Sequence, residues 1–501
     1  MAERREDSSS GYVMGIDQST QGTKMLLFDG EGRIAHQASC PHRQFIDDRG
    51  YVEHDPEEIW ENTVKLARQM IQDHGIRAKD IRAIGISNQR ETAAAWDRET
   101  GRSIYHAIVW QCARGAAIAD ELAARGLADE VKERTGLPLS PYFSAAKLAW
   151  IMRNVPEAGR LAEEGRLAMG TMDSYLLYRM THGAAHMTDF SNASRTELFN
   201  IHSLEWDETL CEAFGITMNA LPKAVHSDSF FGETDIGGAL DAKVPVWSMM
   251  GDSHAALFGQ GCHTAGLAKA TYGTGSSIML NTGDEPAKGA DDLAVTIAWG
   301  REGKVTYALE GNINYTGAAI TWLKDDLKLI ESARETEDMA RAANPADKSY
   351  FVPAFTGLGA PYWDNEATGL YTGITRVTGK NEMVRAVLDA IAYQIADVIS
   401  MMEKITGRPL ESLQVDGGPT RNAYLMQFQA DILNRPAEVP PVAELSAMGA
   451  AYSAGIAAGF YEKEKVFGNL SWQQYSPRLD GEKRAELISG WHAAVGKART
   501  K

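Results

Sequence analysis

One local pattern occurs twice in the chain: an apolar strand, a short turn rich in Gly, Ser and Thr, and a second apolar strand. It appears at 12–29 as YVMGID, QSTQGT and KMLLFD, and again at 266–283 as GLAKATY, GTG and SSIMLNTG. Apolar runs on both sides of such a turn predict a β-hairpin. The repetition indicates two domains of related design, and a chain of 501 residues is long enough for both.

The segments after the first hairpin alternate between strand and helix patterns. A further turn at 29–32 extends the hairpin into a meander, and Asp55 with Pro56 begins a helix whose first turn is acidic. The apolar run IRAIGIS at 81–87 predicts another strand. Strands and helices in this order predict an α/β fold with mixed sheets and helices on their faces.

Two later strands lead directly into helices. PVWSMM at 245–250 runs into GDSHAALFGQG, and LQVD at 413–416 passes through Gly417 and Gly418 into a helix with apolar residues every three or four positions. The second hairpin starts soon after the first of these helices. We therefore place the domain boundary near 259–266, which gives domains at 12–259 and 260–501.

Three turns have the composition of a phosphate-binding site, at 17–24, 273–276 and 417–420. Glycine lets the backbone approach closely, so that several N–H groups and hydroxyls converge on phosphate oxygens. Each turn alone is better explained as an ordinary tight turn, but three of them on both sides of the boundary favour a shared nucleotide site. The chain has no GxxxxGK[ST], HRD or DFG motif, which argues against a P-loop enzyme and a protein kinase.

Five more positions are candidates for binding or chemistry. Asp252 follows an apolar strand and precedes an Ala-rich helix, where it either points into a cleft beyond the strand ends or caps the helix. Arg90 and Glu91 lie in a polar segment, NQRET, that is either a solvated loop or a donor and acceptor pair for adjacent hydroxyls. Trp110 and Tyr142 suit either an apolar core or the wall of a ligand pocket.

Composition argues against several classes of partner and site. A net charge of −17 opposes binding to nucleic acid, and no apolar run approaches the ~18 residues of a membrane span. The first eleven residues, MAERREDSSSG, are charged and Ser-rich, so we expect a frayed tail and a cytoplasmic protein without a secretory signal. The four cysteines lack the spacing of a disulfide framework or a zinc site.

Eight segments of the chain resemble the glycerol kinases of the FGGY carbohydrate kinase family. They are GYVEHDPEEIW, IGISNQRETAAAW, IVWQCAR, TDFSNASRTELFNIHSLEWD, GDSHAALFGQG, TYGTGSS, VPAFTGLGAPYWD and VDGGPTRNAYLMQFQADIL, and the resemblance runs from about Tyr12 to Tyr452. It implies two domains of the actin and hexokinase type (ribonuclease H-like). Each would be a mixed five-stranded sheet with flanking helices, and the active site would lie in the cleft between the domains.

The resemblance also implies an activity. This is the ATP-dependent phosphorylation of a primary hydroxyl of a small polyol, nominally glycerol to glycerol 3-phosphate. ATP and Mg²⁺ are the implied cofactors, and a homodimer or homotetramer is the implied assembly.

Individual residues take implied roles from the same resemblance. Asp252 is implied as the general base that accepts the proton of the substrate hydroxyl, and Asp17 as a residue that helps to hold Mg²⁺. The residues implied to surround the acceptor substrate, together with Asp252, are Arg90, Glu91, Trp110, Tyr142, Ser253 and Ser277. Those implied to line the nucleotide site are Thr20, Gln21, Gly22, Thr274, Gly317, Gly418 and Asn422.

Two of these positions depart from the glycerol kinase pattern. The family usually has Gln after the base and an aromatic residue after the TYGTG turn, where this chain has Ser253 and Ser277. Loss of an aromatic wall removes apolar contact worth about 1 to 3 kcal/mol, so a larger polyol or ketose, such as erythritol or xylulose, is the alternative acceptor. Lys243 stands where a regulatory Arg is usual, so we expect no regulation by fructose 1,6-bisphosphate. An actin-like or chaperone-like ATPase is the alternative from another class.

Overall fold

The computed structural model describes residues 11–290 and 292–500. Both predicted hairpins are present, and each belongs to a large mixed sheet with helices packed on it. The frayed tail predicted for the first eleven residues lies outside the described residues, except for Gly11.

The elements are numbered in chain order. The strands of the first half are β1 (Tyr12–Gln18), β2 (Gly22–Phe28), β3 (Ile34–Pro41), β4 (Phe45–Ile46), β5 (Val52–His54), β6 (Ile81–Asn88), β7 (Ala93–Asp97), β8 (Ala107–Ile108), β9 (Leu167–Thr171), β10 (Met187–Asp189), β11 (Phe199–Asn200), β12 (Glu205–Trp206), β13 (Lys223–Val225), β14 (Gly232–Thr234) and β15 (Val244–Gly251). Those of the second half are β16 (Ala268–Tyr272), β17 (Ser276–Gly283), β18 (Ala294–Arg301), β19 (Lys304–Ile313), β20 (Tyr350–Val352), β21 (Leu370–Thr372), β22 (Leu413–Gly417), β23 (Ala437–Val439) and β24 (Gln473–Tyr475).

The helices follow the same numbering. They are α1 (Pro56–His74), α2 (Ala116–Ala124), α3 (Ala128–Thr135), α4 (Ser144–Asn154), α5 (Pro156–Glu163), α6 (Met172–Met180), α7 (Phe190–Ala193), α8 (Glu208–Phe214), α9 (Asp252–Gly259), α10 (Gly317–Asp325), α11 (Glu335–Ala342), α12 (Lys380–Thr406), α13 (Ala423–Leu433), α14 (Leu445–Ala457), α15 (Lys463–Gly468) and α16 (Gly481–Ala498). Single turns of 3₁₀ helix span Ala78–Asp80, Met218–Ala220 and Gly418–Arg421.

The first large sheet has the strand order β14-β15-β6-β1-β2-β3. β1, β2 and β3 form the predicted antiparallel meander, whereas β6 is parallel to β1 and β15 is parallel to β6. In this register Gln18, Asn88 and Gly251 lie side by side at the ends of their strands. The side chains at these strand ends therefore emerge at one edge of the sheet.

The second large sheet has the order β18-β19-β17-β16-β22-β23-β24. β16 is antiparallel to β17 and parallel to β22, so that Tyr272 and Gly417 end neighbouring strands. The predicted fold class is confirmed, but the sheets have six and seven strands where five were predicted. The extra strands lie at sheet edges, and two of them, β14 and β24, have only three residues each, too few to show an alternating pattern.

A third sheet, β4-β5-β8-β7-β9, is not predicted by the sequence. Its strands β4 and β5 precede β6 in the chain, β7 to β9 follow it, and three of the five strands have only two or three residues. β8 ends two residues before Trp110. This sheet therefore positions a part of the chain that the sequence marks as a candidate pocket wall.

Helix α1 begins where the sequence predicts. The Asp55 carboxylate accepts a hydrogen bond from the Glu57 backbone N–H at 2.9 Å, and Pro56 is the first helical residue. Gly75 ends the helix with a φ of 65°, a left-handed conformation that glycine adopts without a steric penalty. The buried face of α1 packs on the first sheet, because Leu66 and Met70 share one apolar cluster with strands β1 and β2.

All four cysteines are free thiols, and Cys112, Cys211 and Cys262 are buried. Within 11–290 and 292–500, no helix combines the length and the apolar character that a membrane crossing requires.

Helix α14 follows β23 in the chain but packs on the first sheet, against β1, β6 and β15, and against α9. Glycines make the contact close. A Cβ at Gly449 would lie 1.8 Å from the carbonyl oxygen of Ala255, and one at Gly85 would lie 2.1 Å from that of Ala450. A cut between residues 259 and 260 therefore leaves a helix of the first core in the second part of the chain.

We expect Gly449→Ala to destabilise the protein, because the added methyl group has no space where α9 and α14 cross. Overpacking of this kind lowers the free energy of unfolding by about 1 to 3 kcal/mol. The midpoint of urea-induced unfolding measures the change. The matched control is Gly468→Ala, where no atom lies within 4 Å of the added Cβ. Equal midpoints for the two variants would contradict a tight crossing.

Candidate active site

Asp17 lies near the end of β1 and is buried at the edge of the first sheet. The hydroxyl of Ser87, its neighbour on β6, donates a hydrogen bond to Asp17 Oδ1 at 2.5 Å. Burial raises the pKa of Asp17 to about 6; the Ser87 hydrogen bond opposes the rise, and the charge of Asp252 adds to it. Asp17, near the end of β1, and Asp252, directly after β15, lie at the same edge of the first sheet, on either side of β6.

Asp252 is the first residue of α9, directly after β15. Gly251 occupies the N-cap position, so the alternative in which Asp252 caps the helix does not hold. Asp252 Oδ1 accepts a hydrogen bond from the Ser253 N–H at 2.6 Å and lies 3.3 Å from Arg90 Nε. The side chain keeps 32% of its surface exposed. A helix N-terminus and an arginine thus hold a carboxylate that a ligand can still reach.

The segment 88–92 is buried, with every residue at most 7% exposed, so the solvated-loop alternative is wrong. Its polar side chains find partners inside the protein. The amides of Asn88 and Asn192 exchange two hydrogen bonds of 2.9 and 3.0 Å, and Thr92 donates to Gln89 at 2.9 Å. Glu91 adopts a φ of 58°, a strained conformation for a residue with a side chain. The fold therefore holds this segment in one rigid conformation.

Four buried charges join the two large sheets at this segment. Arg90 donates two hydrogen bonds to Glu310 on β19, at 3.1 and 2.9 Å. Arg195 donates from Nε to Glu91 Oε1 at 2.6 Å, and its Nη1 lies 2.8 Å from Glu310 Oε2. Burial acts to raise the pKa of Glu310, but the charges of Arg195 and Arg90 outweigh it and hold that pKa well below its ordinary value. We call Arg90, Glu91, Arg195 and Glu310 the charge cluster.

Two members of the charge cluster are missing from the residues singled out in the sequence. Arg195 lies within the quoted segment TDFSNASRTELFN, and Glu310 is the single acid in the apolar strand VTYALEGNI. A lone carboxylate in an otherwise apolar strand is a usable signal, because a buried charge requires a partner. The sequence does not show which cation is that partner, since both arginines are more than 100 residues away.

Trp110 and Tyr142 lie together, with ring centroids 5.6 Å apart in an edge-to-face arrangement. The Trp110 indole donates to Thr20 Oγ1 at 3.0 Å, and its backbone N–H donates to Thr92 Oγ1 at 3.2 Å. Burial raises the pKa of the Tyr142 phenol, and the charge of Glu91 raises it further. This aromatic pair therefore adjoins both the charge cluster and the turn that follows β1.

The second sheet presents a polar row beside Glu310. Asn312, Ser277, Thr271 and Asp416 are cross-strand neighbours on β19, β17, β16 and β22. The Ser277 hydroxyl donates to Glu310 Oε1 at 3.1 Å. Ser277 therefore contacts the charge cluster, and Ser253 follows Asp252, so both departures from the glycerol kinase pattern lie at this site.

The glycine-rich turns of the second sheet are tightly bonded. The Thr274 carbonyl accepts from the backbone N–H groups of Thr316 and Ala318, each at 3.0 Å, and the Gly317 N–H donates to Gly273 O at 2.9 Å. A Cβ at Gly317 would lie 2.7 Å from Gly273 O, so a side chain does not fit there. By contrast, open space surrounds the position where Gly418 would carry a Cβ. The turns thus bring backbone groups close together at Gly273 and Gly317 and leave the Gly418 position open.

The remaining candidates have structural partners as well. Asn422 Oδ1 caps α13 by accepting from the Leu425 N–H at 3.0 Å, and its Nδ2 donates to Thr336 at 3.0 Å. Thr20 and Gln21 form the turn between β1 and β2, and Gly22 begins β2, where a Cβ would lie 2.7 Å from Cys40 O. Taken together, the contacts among the described residues form two groups of candidates. The first group is Asp252, Arg90, Glu91 and Ser277, and the second is Trp110, Tyr142 and Thr20.

We expect Glu310→Gln to destabilise the protein strongly, because it leaves two buried cations without their shared carboxylate. Breaking a buried ion pair costs about 3 to 5 kcal/mol, which the midpoint of chemical unfolding detects. Glu302→Gln is the control, since Glu302 is an exposed acid in the turn before β19. A midpoint for Glu310→Gln equal to that of the control would show that the cluster contributes little.

Comparisons with known proteins agree with this architecture. Residues 12–259 match the N-terminal domain, and residues 268–458 the C-terminal domain, of the FGGY family of carbohydrate kinases. Glycerol kinase of Symbiobacterium thermophilum is 46% identical over 494 residues, which cover 98% of this chain and 99% of that protein. Glycerol kinase 2 of Thermotoga maritima is 46% identical over 492 residues, covering 97% and 98%. The crystal structure of Plasmodium falciparum glycerol kinase with ADP has a TM-score of 0.93 and 34% identity, covering 98% of this chain and 99% of that one. The chain therefore belongs to the FGGY family of carbohydrate kinases.

Proposed function

We propose that this kinase transfers the γ-phosphoryl group of ATP to a primary hydroxyl of glycerol, forming glycerol 3-phosphate. The observation that carries the proposal is the accessible Asp252 carboxylate beside Arg90, at the edge of the first sheet that faces the second. The relatives named as glycerol kinases, 46% identical over nearly the whole chain, support glycerol as the acceptor.

Asp252 is the general base in this proposal. As the acceptor oxygen bonds to the γ-phosphorus and ADP leaves, the hydroxyl proton passes to the Asp252 carboxylate. Oδ1 accepts from the Ser253 N–H and faces Arg90, so we assign Oδ2 to the proton. Phosphoryl transfer depends mainly on positioning and charge neutralisation. Because the Arg90 guanidinium is fixed, it holds each bound acceptor in the same position.

The acceptor site consists of the groups around this carboxylate. Arg90 donates and Glu91 accepts, so together they suit adjacent hydroxyls of a polyol. Trp110 and Tyr142 offer an apolar surface to the carbon chain. We also assign Ser253 and Ser277 to this site, because Ser253 follows the base in the chain and the Ser277 hydroxyl donates to Glu310.

We assign the nucleotide site to the turns at the ends of β1, β16 and β22 and to the helix starts beside them. Its residues are Thr20, Gln21, Gly22, Thr274, Gly317, Gly418 and Asn422. Asp17 suits Mg²⁺, because this ion is bound in kinases by one or two carboxylates together with phosphates, and the Ser87 hydroxyl fixes the orientation of this carboxylate at the strand end. When bound, Mg²⁺ neutralises charge on the phosphate oxygens.

The same proposal includes the organisation of the protein. We propose domains at 12–259 and 260–501, with α14 returning to the first sheet. We also propose that the enzyme is cytoplasmic, because ATP is available in the cytoplasm. We further propose that it forms a homodimer or homotetramer.

A larger polyol or ketose is the second candidate acceptor. The specific observation in its favour is the Ser277 hydroxyl, which lies on the polar row of the second sheet and bonds to Glu310. Such a row suits an acceptor with more hydroxyls than glycerol. An actin-like or chaperone-like ATPase is not retained, because both matching domains are those of carbohydrate kinases.

An acceptor panel tests the assignment of glycerol. We expect ADP release by the purified protein to depend on an added acceptor and to have its highest kcat/KM with glycerol, compared with erythritol, xylulose and other four- and five-carbon compounds. A kcat/KM about tenfold higher for one of the larger compounds would replace glycerol by that compound. ATP turnover that no acceptor stimulates would refute the kinase assignment itself.

We expect Asp252→Asn to bind ATP normally and to lose phosphoryl transfer by a factor of about 10² to 10⁴, the usual contribution of a general base. The amide keeps the shape of the side chain but accepts no proton. Single-turnover kinetics measure transfer, and calorimetry measures ATP binding. Asp120→Asn, an exposed position on α2, is the control. Near-normal transfer by Asp252→Asn would remove Asp252 from the role of base.

A further inference from the structure

Lys147 is a fully buried lysine in the first turn of α4. Its ammonium group donates to three successive backbone carbonyls: Pro141 O at 2.8 Å, Tyr142 O, and Phe143 O at 3.0 Å. The three donors of an ammonium group therefore match three acceptors of one short loop. The middle residue of this loop is Tyr142, which the proposed function places in the acceptor site.

This position is unfavourable for a lysine unless it has a specific task. Burial of an ammonium group is costly, and a positive charge at a helix N-terminus opposes the helix dipole. The loop carbonyls compensate both costs, because they direct three negative dipoles at Nζ. An apolar residue would suit the buried face of α4 without any of these bonds, so the charge itself needs an explanation.

The loop is attached on its other sides as well. The Ser140 N–H donates to Glu197 Oε1 at 2.8 Å, and the Ser144 hydroxyl donates to the carbonyl of Glu91 at 3.2 Å. The second bond ties the loop to the strained segment of the charge cluster. The position of the Tyr142 ring, and of Trp110 that packs on it, therefore depends on a backbone held from three directions.

We propose that Lys147 is a positioning residue that holds the backbone of residues 141–143, and with it Tyr142, in the conformation that binds the acceptor. The role rests on the proposed function, because it concerns the same acceptor site. Lys147 does not contact the acceptor in this proposal; it acts through the carbonyls that it binds.

A dependence on pH follows from this arrangement. The charged and titratable groups that face Lys147 are Glu91, Glu197 and Cys112. Burial lowers the pKa of Lys147 to about 8, and these groups limit the fall. Burial also raises the pKa of Glu197 well above its ordinary value. Above the pKa of Lys147 the neutral amine has only two N–H donors for three carbonyls, so the loop loosens and the acceptor binds more weakly.

The effect of pH on the folding stability of the whole protein has the opposite sign. The pKa of Lys147 in the folded protein is lower than in the unfolded chain, so between the two values the unfolded chain binds more protons. Stability from this group therefore rises as the pH increases through that window. A loss of acceptor affinity at alkaline pH without a loss of folding stability separates positioning of the loop from general unfolding.

The first test is Lys147→Met, which keeps the length of the side chain and removes the charge. We expect the KM for glycerol to rise about tenfold or more, equivalent to ~1.4 kcal/mol, with the KM for ATP within about twofold of wild type. The wild-type KM for glycerol should rise as the pH passes through the pKa of Lys147, and that of the variant should stay high and flat. Arg153→Met is the matched control, since it removes an exposed cation from the same helix.

The second test does not depend on the identity of the acceptor. Hydrogen exchange by mass spectrometry should show faster exchange for the peptide that covers 138–146 in Lys147→Met, with the rest of the chain and the Arg153→Met protein unchanged. Unchanged exchange in this peptide overturns the proposal, whether or not glycerol is the substrate. If Lys147→Met does not fold, Lys147→Gln takes its place, and unchanged exchange of the 138–146 peptide in that variant overturns the proposal. Absence of activity with every acceptor refutes the proposed function instead, and the exchange result still decides the role of Lys147.

Discussion

The arrangement of the two domains depends on the buried ion pairs in which Arg90 and Arg195 share the carboxylate of Glu310. Glu310 comes from a strand of the second sheet, and its partners Arg90 and Arg195 belong to the first half of the chain. Removal of any one partner leaves an uncompensated charge inside the protein, which is costly because water no longer solvates it. The two sheets therefore satisfy their buried charges only when they face each other across the site.

The requirement that the two sheets face each other also positions the candidate catalytic residues. Parallel strands bring Asp17, the 88–92 segment and Asp252 to one edge of the first sheet, and Arg90 connects that edge to Glu310. The guanidinium uses two donors on Glu310 and directs Nε toward Asp252, so its remaining N–H groups have fixed directions. A rigid donor beside the proposed base suits catalysis by positioning, because little reorganisation is needed once the acceptor has bound.

Local features of this fold follow from the sequence, and long-range ones do not. Both hairpins, the Asp55 cap of α1 and the passage from β15 into α9 depend on neighbouring residues, so periodicity and turn chemistry predict them. The return of α14 to the first sheet depends on glycines at Gly85 and Gly449 that meet backbone far away in the chain. For the same reason Asp252 and Arg90 are visible as candidates, whereas the pairing of Arg195 with Glu310 is not.

The charge cluster also bears on the choice of acceptor. Ser277 donates to the same Glu310 oxygen that accepts from Arg90 Nη2, so a side chain proposed to line the acceptor pocket also contacts the carboxylate that joins the domains. A residue at position 277 without a hydroxyl removes one hydrogen bond from Glu310 but leaves both arginines in place. Pocket shape can therefore change at this position while the ion pairs between the domains persist. Under the proposed function, this separation would let the fold accept different polyols while Asp252 and its arginine stay unchanged.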